Sequence, residues 1–282
     1  MIREAELRRL AANQRIDPMI LNLDYALGWF LAALYLGNDL RDQLCFKGGT
    51  CLRKAYFRQH RFSEDLDFTA TTAININRLR LWIEKAARWS EERGGPDFLV
   101  RPPQFEEVSD EYGVRTLQAR LYFRGPLRFA GSPQAIRLDI TRKEFLILPA
   151  ETHLLIHPYS DAQTLGQVAL ACYPLTEMLA EKIRAVGGQR RFAISRDIYD
   201  IHILVQKGVD ITSVLSRLRE KFAVRGVDVS QLRVAAIRAR QSEFERDWKR
   251  NLLHLLPHDQ EVPFSDAWET TLVLLKQVEA WG

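Results

Sequence analysis

The chain has 282 residues, of which 46% are apolar and 27% charged, with a formal net charge of +4 and a pI of about 9.0. This composition is typical of a globular protein and excludes an intrinsically disordered chain, and the length fits one large domain or two smaller ones. The mild basic excess fits an anionic partner such as RNA or a nucleotide without identifying one.

The cysteines and the chain start argue against secretion and zinc binding. Cys45, Cys51 and Cys172 have neither C-x-x-C spacing nor nearby histidines that would complete a zinc site. A sparse, odd number of cysteines favours a reducing cytosol, and the charged residues 1–6 lack a signal-peptide apolar region. The most apolar stretch, 26–37, is too short to span a bilayer. We therefore expect a cytoplasmic protein with no membrane partner.

In the first half, hydrophobic periodicity predicts helices and strands in mixed order. Asp17 and Pro18 are a typical helix start. The predicted helices cover residues 3–13, 19–36, 51–57 and 74–92. The predicted strands cover residues 44–47, 65–69, 98–101, 116–123, 135–141 and, as a further short candidate, 145–148.

The second half has a helical pattern only. The predicted helices cover residues 175–186, 196–205, 211–222, 230–248 and 265–281. The sequence thus predicts a mixed α/β half followed by a helical half, with a boundary near residues 160–170.

Two acidic residues alternate in the predicted strand 65–69. In a strand, Asp65 and Asp67 would point to the same side, roughly 6.5–7 Å apart. Two such carboxylates repel each other unless a cation lies between them, and Mg²⁺ favours carboxylates together with substrate phosphates. A single D-x-D is more often a solvated strand edge, so this pattern alone leaves both interpretations open.

A glycine turn precedes the acidic strand. Gly48 and Gly49 allow the backbone to approach phosphates closely, and the helix that follows favours an anion at its start. Thr50 can cap this helix and donate its hydroxyl to a phosphate. Gly-Gly alone is usually only a turn, but a strand, glycine turn, helix and acidic strand in succession form a more specific pattern.

Segments 46–56 (FKGGTCLRKAY) and 61–68 (RFSEDLDF) resemble the signature of the AbiEii-type abortive-infection nucleotidyltransferase toxins, within the DNA polymerase β-like nucleotidyltransferase superfamily. The resemblance implies that Asp65 and Asp67 bind Mg²⁺, with Mn²⁺ as the alternative ion. It also implies that Lys47, Gly48, Gly49 and Thr50 hold the phosphates of a nucleoside triphosphate.

A third carboxylate is expected from a neighbouring strand of that fold, and Asp139 is the best candidate. It interrupts the apolar run 135–141, where a charge costs free energy unless it is paired or binds a metal. The alternative is an ion pair with Arg137 or Arg142. If it is functional, Asp139 would bind the metal or act as a general base.

Segments 175–185 and 195–201 resemble the same family, which carries a helical Glu-Lys and a later Arg-Asp-x-Tyr-Asp. The resemblance implies that Lys182 and Asp197 are active-site residues, with the lysine neutralising charge on the triphosphate. The alternatives are a solvated lysine, and an Asp197 that caps a helix or pairs with Arg196. We expect Asp200 to be structural.

Residues 181–250 contain sixteen Lys and Arg against nine Asp and Glu, a net charge of +7. Part of this excess could form a face for RNA phosphates, although a solvated helix face is an equally good interpretation. The residues concerned are Arg233, Arg238, Arg240, Arg246, Lys249 and Arg250.

Taken together, the resemblance implies a nucleotidyltransferase α/β (α+β) core with a mixed sheet at residues 1–165. A helical C-terminal domain at 166–282 would complete the active-site cleft. The implied reaction is transfer of a nucleoside monophosphate to an RNA hydroxyl, particularly at the 3′ end of tRNA. The protein would be the toxin of a bacterial toxin–antitoxin or phage-defence pair, with a DNA-binding antitoxin encoded nearby.

Three alternatives remain open at this point. One is a nucleotidyl- or phosphotransferase acting on a protein or small molecule. The others are a non-catalytic RNA-binding module and a regulator that binds nucleotide without turnover.

Overall fold

The computed structural model describes residues 1–38, 40, 42–109, 115–128, 131–142 and 144–282. The chain forms two compact units, each built from several segments. The first unit comprises Met1–Lys143, Ala150–Cys172 and Leu255–Gln260, and the second comprises Glu144–Pro149, Tyr173–His254 and Glu261–Gly282. The functional division at residues 165 and 166 stays a prediction.

The first unit contains a seven-stranded mixed sheet in the order β3-β4-β5-β2-β1-β7-β6. Strand β2 pairs with β1 in antiparallel and with β5 in parallel orientation, and β1 also pairs with β7 in parallel. The strands are β1 (Leu44–Lys47), β2 (Asp65–Ala70), β3 (Gln104–Ser109), β4 (Arg115–Phe123), β5 (Gln134–Thr141), β6 (Glu151–Leu154) and β7 (Ala169–Cys172). The mixed α/β class predicted from the sequence is confirmed.

Among the described residues, five α-helices belong to the first unit, and a π-helical turn, Leu52–Tyr56, follows the third of them. They are α1 (Glu4–Gln14), α2 (Pro18–Leu36), α3 (Gly48–Cys51), α4 (Ile76–Glu92) and α5 (Ala162–Leu165). Helix α2 begins where the sequence predicts, since the Asp17 carboxylate accepts a hydrogen bond from the Met19 amide at 2.7 Å. This helix is apolar and long enough to cross a membrane, but 78% of its most apolar window is buried, so core packing accounts for its character.

The two faces of the sheet differ in polarity because successive side chains of a strand point to opposite sides. On one face, Leu117, Leu121 and Leu138 are buried, and Phe98 packs edge-on against Phe30 of α2 at 5.1 Å between ring centroids. On the other face, β4 and β5 carry polar residues such as Gln118 and Asp139 that are only half-buried. Core packing thus fixes which face presents the carboxylates.

The second unit is helical. Its helices are α6 (Leu175–Arg184), α7 (Ser195–Gln206), α8 (Leu218–Ala223), α9 (Val234–Arg238), α10 (Gln241–Asn251) and α11 (Phe264–Trp281). Phe244 and Trp248, one helical turn apart on α10, are buried, so this face of α10 belongs to the core.

A buried lysine lies at the centre of the second unit. Lys221 is fully buried and contacts Glu177 at 2.6 Å, Glu144 at 3.5 Å and Glu181 at 3.4 Å. The Glu177 carboxylate also accepts the backbone N–H groups of Ile147 and Leu148 at 2.9 and 3.0 Å. These charges therefore hold the segment Glu144–Pro149 in the second unit.

Four local predictions are wrong. Residues 98–101 and 145–148 form no strand, and the strand of that region begins instead at Gln104. Residues 211–222 contain a 3₁₀ turn, Thr212–Arg217, before α8. The helix predicted at 230–248 is divided into α9 and α10.

Candidate active site

Three aspartates lie side by side on the polar face of the sheet. Asp65 and Asp67 alternate along β2, and Asp139 on β5 is the direct partner of Asp67 in the parallel register. Asp65 lies opposite Arg137 in the same pairing. All three aspartates are half-buried. The structure therefore brings together the three carboxylates that the sequence singled out for metal binding, and their assignment as ligands stays a prediction.

The carboxyl group of Asp139 is a weaker acid than an ordinary aspartate. Burial raises the pKa of its carboxyl above the usual range, and the negative charge of Asp67 raises it further. A hydrogen bond with Gln118 and the positive charges of Arg137 and Lys47 oppose this shift only in part. The contribution of the Asp67 charge is the part of this shift that a bound cation would relieve.

The chemistry of this donor set fits a hard divalent cation. Carboxylate oxygens suit Mg²⁺, which binds through one or two carboxylates and takes its remaining ligands from waters and substrate phosphates. Within the described ranges, no three His, Cys, Asp or Glu side chains are already gathered closely enough to hold a metal by themselves. The aspartates would thus complete a metal site together with a phosphate-bearing substrate.

Gly48 is required where β1 turns into α3. Its φ of +78° lies in the left-handed region, and a Cβ built there would lie 2.4 Å from the Asp67 Oδ2 atom. A Cβ on Gly49 would lie 2.4 Å from Nη2 of Arg61. The backbone therefore passes directly over the acidic strand, and any side chain at Gly48 would displace the Asp67 carboxylate.

Thr50 and Lys47 tie the glycine turn to the acidic strand. The Thr50 hydroxyl donates a hydrogen bond to the Asp65 carbonyl, so the expectation that it caps the helix is wrong. Thr50 lies inside α3, whose first residue is Gly48, and position rather than residue type rules out the cap. Lys47 is buried at the end of β1, in register with Asp67. The glycine turn and the strand that carries Asp65 and Asp67 are therefore joined by direct contacts.

A buried ion-pair network anchors the segment after the turn. Asp24 of α2 accepts hydrogen bonds from Arg53 Nε and Lys54 Nζ, both at 2.7 Å, and from the Tyr159 hydroxyl at 2.6 Å. Burial lowers the pKa of Lys54 to about 8, although the Asp24 charge opposes that shift. Because the network connects the core helix to the residues following Gly48, it fixes the position of the turn.

Sequence reasoning did not assign functional roles to Asp24 and Arg61. Asp24 lies within an otherwise apolar helix, and a charge in such a setting is a detectable signal for a buried partner. Arg61 begins one of the segments that resemble the family signature, but its proximity to Gly49 depends on the fold.

In the second unit, Lys182 of α6 forms ion pairs with two aspartates of α7. Its Nζ atom lies 2.6 Å from Asp197 and 2.8 Å from Asp200, and Arg190 contacts Asp197 at 3.1 Å. Burial alone would raise the pKa of Asp197, but the charges of Arg190 and Lys182 hold it below the usual range. Lys182 and Asp197 thus form one charged cluster, and Asp197 is neither a helix cap nor part of an isolated pair.

The basic residues of α9 and α10 are dispersed by the break between these helices. Several have acidic neighbours on the same helix, since Arg240 contacts Glu243 at 3.0 Å and Lys249 contacts Glu245 at 2.8 Å. Within the described part of the chain, this pattern favours a solvated helix face more than a phosphate-binding one.

Comparison with known proteins identifies the family. Residues 29–272 match the family described as "Nucleotidyl transferase AbiEii toxin, Type IV TA system". No curated protein matches the chain in sequence. Similar solved structures include JHP933 from Helicobacter pylori, with a TM-score of 0.56, 16% identity and coverage of 94% of both chains. Another H. pylori structure, described as a candidate nucleotidyltransferase, has a TM-score of 0.54 and 14% identity. The match covers 92% of this chain and 95% of the H. pylori chain.

At these identities the two solved structures show a shared fold, whereas the family match spans most of the sequence. It includes the glycine turn and the three aspartates of the sheet as well as Lys182 and Asp197. The chain therefore belongs to the AbiEii family of nucleotidyltransferase toxins, the toxins of type IV toxin–antitoxin systems.

Proposed function

We propose that this nucleotidyltransferase requires Mg²⁺ and transfers a nucleoside monophosphate from a nucleoside triphosphate to an RNA hydroxyl. The proposed acceptor is the 3′ end of tRNA. The observation that supports the proposal is the register of Asp67 opposite Asp139, directly beneath the turn at Gly48. Carboxylates for a cation and a side-chain-free backbone for phosphates are the two elements that phosphoryl transfer needs.

The residues of the first unit have distinct roles in this proposal. Asp65 and Asp67 present carboxylate oxygens toward a cation, and Gly48 leaves space for phosphate oxygens beside them. Lys47, next to Asp67, contributes positive charge, while Thr50 holds the acidic strand to the turn through the Asp65 carbonyl. A bound divalent ion would neutralise charge on the phosphates and polarise the attacked phosphorus.

Asp139 is the proposed general base. Its raised pKa makes it a better proton acceptor than an ordinary aspartate. In the reaction, the acceptor oxygen forms a bond to the α-phosphorus as the bond to the bridging oxygen of the β-phosphate breaks. The hydroxyl proton passes to Asp139, and pyrophosphate leaves.

The second unit supplies Lys182 and Asp197 to the proposal through the family resemblance. Lys182 carries a positive charge suited to phosphate, and its two aspartate partners hold its ammonium group in a fixed position. We also propose a cytoplasmic location and a DNA-binding antitoxin as partner, in line with the type IV toxin–antitoxin family.

Label transfer tests the proposal. The protein is incubated with total tRNA, Mg²⁺ and each α-³²P nucleoside triphosphate in turn, beside the variant Asp65→Ala/Asp67→Ala. We expect label in RNA with the wild type alone, and none after chelation with EDTA. Label in protein or in a small molecule, with none in RNA from any nucleotide, would overturn the RNA acceptor while leaving the nucleotidyltransferase in place.

A further inference from the structure

A polar groove lies beside the carboxylates on the outer part of the sheet. It has a volume of about 560 Å³ and is lined by β3, β4 and β5, with Asp139 among its lining residues. The strand registers place Gln118 opposite Asp139, and Arg120 opposite Arg137. Across β5 and β2, Asp139 pairs with Asp67 and Arg137 pairs with Asp65. The groove residues and the aspartates therefore lie in line across neighbouring strands, on one face of the sheet.

The groove lies on the far side of the acidic strand from the glycine turn. The strand order is β4-β5-β2-β1, and the turn follows β1. A triphosphate held at Gly48 and a molecule held in the groove would therefore approach the carboxylates from opposite sides. This is the relationship required between a nucleotide donor and the molecule that accepts the nucleotide.

The groove carries the chemistry of a single-stranded nucleic acid site. Arg120 and Arg137 are exposed and paired across β4 and β5. Two residues further along β4, just outside the groove lining, the Tyr122 ring is half-buried, and the guanidinium groups of Arg101 and Arg120 lie 5.3 and 5.2 Å from its centroid. Arginines beside an aromatic ring match alternating phosphates and bases, and among the described lining residues Glu106 on the edge strand is the one acidic residue besides Asp139.

We propose that this groove binds the last nucleotides of a single-stranded RNA 3′ end, with Arg120 and Arg137 on backbone phosphates and Tyr122 stacking on a base. The terminal ribose would then lie at Asp139, where its hydroxyl meets the general base. The inference rests on the proposed function, because it assigns the acceptor site of that reaction. RNA is favoured over a protein acceptor since arginines beside an aromatic ring recognise phosphates and bases together.

The test measures RNA binding without nucleotide, so that it is independent of turnover. A fluorescent single-stranded RNA with the sequence of a tRNA acceptor end is titrated against wild type, Arg120→Ala/Arg137→Ala and Tyr122→Leu. A matched control, Lys85→Ala/Arg88→Ala, removes two exposed charges from α4 of the same unit. We expect Kd to rise about tenfold or more in the groove variants and less than twofold in the control, because each lost phosphate contact or stacked base weakens binding.

Salt dependence provides a second measurement. Removing two phosphate contacts should reduce the slope of log K against log salt by roughly 1.4 for a single strand. Arg120→Lys/Arg137→Lys should restore most of that slope, because it keeps both charges. Equal Kd and slope in the alanine double variant and the α4 control would overturn the groove assignment.

The outcomes separate this inference from the proposed function. Transfer to RNA that persists with an unchanged RNA KM in the alanine double variant would overturn the groove and leave the function standing. RNA binding that depends on Arg120 and Arg137 without any transfer to RNA would support the groove and reject the RNA acceptor reaction. Selective loss of protein labelling in the same variant would overturn the inference in favour of a protein acceptor.

Discussion

Asp67 and Asp139 are direct partners in the parallel pair of β2 and β5, whereas Asp65, two residues earlier, is paired with Arg137. The two aspartates of β2 are therefore in different electrostatic settings although they share one face. The charge of Asp67 acts on Asp139 and raises its pKa. In the proposed function, this difference separates Asp139, the proposed proton acceptor, from Asp65 and Asp67, the proposed cation ligands.

The first prediction concerns that coupling. Asp67→Asn should lower the pKa of Asp139, because it removes the negative charge that opposes ionisation of the neighbouring carboxyl. Asp65→Asn should produce a smaller change. Carboxyl carbon NMR titration of Asp139 in the three proteins measures the effect, with the Asp139 signal assigned from the Asp139→Asn variant. An Asp139 pKa that is equal in wild type and Asp67→Asn would contradict the coupling.

The second prediction concerns the glycine turn. Gly48→Ala should lower kcat/KM by roughly 10²-fold, because its Cβ would push the Asp67 carboxylate out of position. Gly94→Ala is the matched control, since Gly94 also has positive φ, +65°, but no atom within 4 Å of a Cβ. Both variants should lose about 1–2 kcal/mol of stability from left-handed backbone. Comparable kcat/KM in the two variants would show that a Cβ at residue 48 does not impair activity through contact with Asp67.

The third prediction concerns stability and pH in the second unit. The folded-state pKa of Asp197 is lowered, so its ionised form stabilises the fold above the unfolded value near 3.8, and this contribution is lost as pH falls through the folded pKa. Asp197→Asn should reduce the free energy of unfolding by about 2 kcal/mol near pH 7. The difference from wild type should shrink below pH 4.

Denaturant titrations between pH 3 and 7 measure that difference. The exposed Asp259→Asn serves as control and should change the free energy of unfolding by less than ~0.5 kcal/mol throughout. A difference for Asp197→Asn that stays constant over this pH range would show that the ion pair with Lys182 and Arg190 does not stabilise the fold.

The fourth prediction concerns Lys221. Lys221→Met should destabilise the protein by about 3–5 kcal/mol, since it leaves the buried Glu177 carboxylate without the cation that pairs with it. The Glu177 carboxylate accepts hydrogen bonds from the amides of Ile147 and Leu148 and from Lys221. Loss of Lys221 should therefore loosen this carboxylate, and both amides should exchange hydrogen faster. Lys276→Met, at an exposed position of α11, should leave both measurements near wild type. Unchanged exchange at 147 and 148 in Lys221→Met would contradict the link.

Local sequence patterns predict the elements that carry the candidate site. The alternation at Asp65 and Asp67, the glycines before them and the charge within the apolar run at Asp139 each reflect a local rule of strand or turn geometry. The register that puts Asp139 beside Asp67 is a long-range pairing, and only the family resemblance indicated it. Asp24 beside Arg53 and Lys54 is a long-range relationship of the same kind.

The incorrect predictions have physical reasons. Residues 98–101 have strand-like composition, but Pro102 and Pro103 lack the N–H groups that a sheet ladder requires, so the strand begins after them. The amides of Ile147 and Leu148 are satisfied by the Glu177 side chain instead of by a neighbouring strand. The helix predicted at 230–248 is interrupted at Arg240, whose backbone dihedrals depart from helical values, and helix resumes as α10 at Gln241.

The segmented first unit has a consequence for biosynthesis. Leu255–Gln260 belongs to the same compact unit as the three aspartates, and the Leu255 carbonyl accepts the Phe62 amide at 2.8 Å, three residues before Asp65. Chains fold from the N-terminus as they are made, so the support under the acidic strand arrives only after more than 250 residues have been translated. A chain that stops before residue 255 would therefore lack this contact beside the acidic strand.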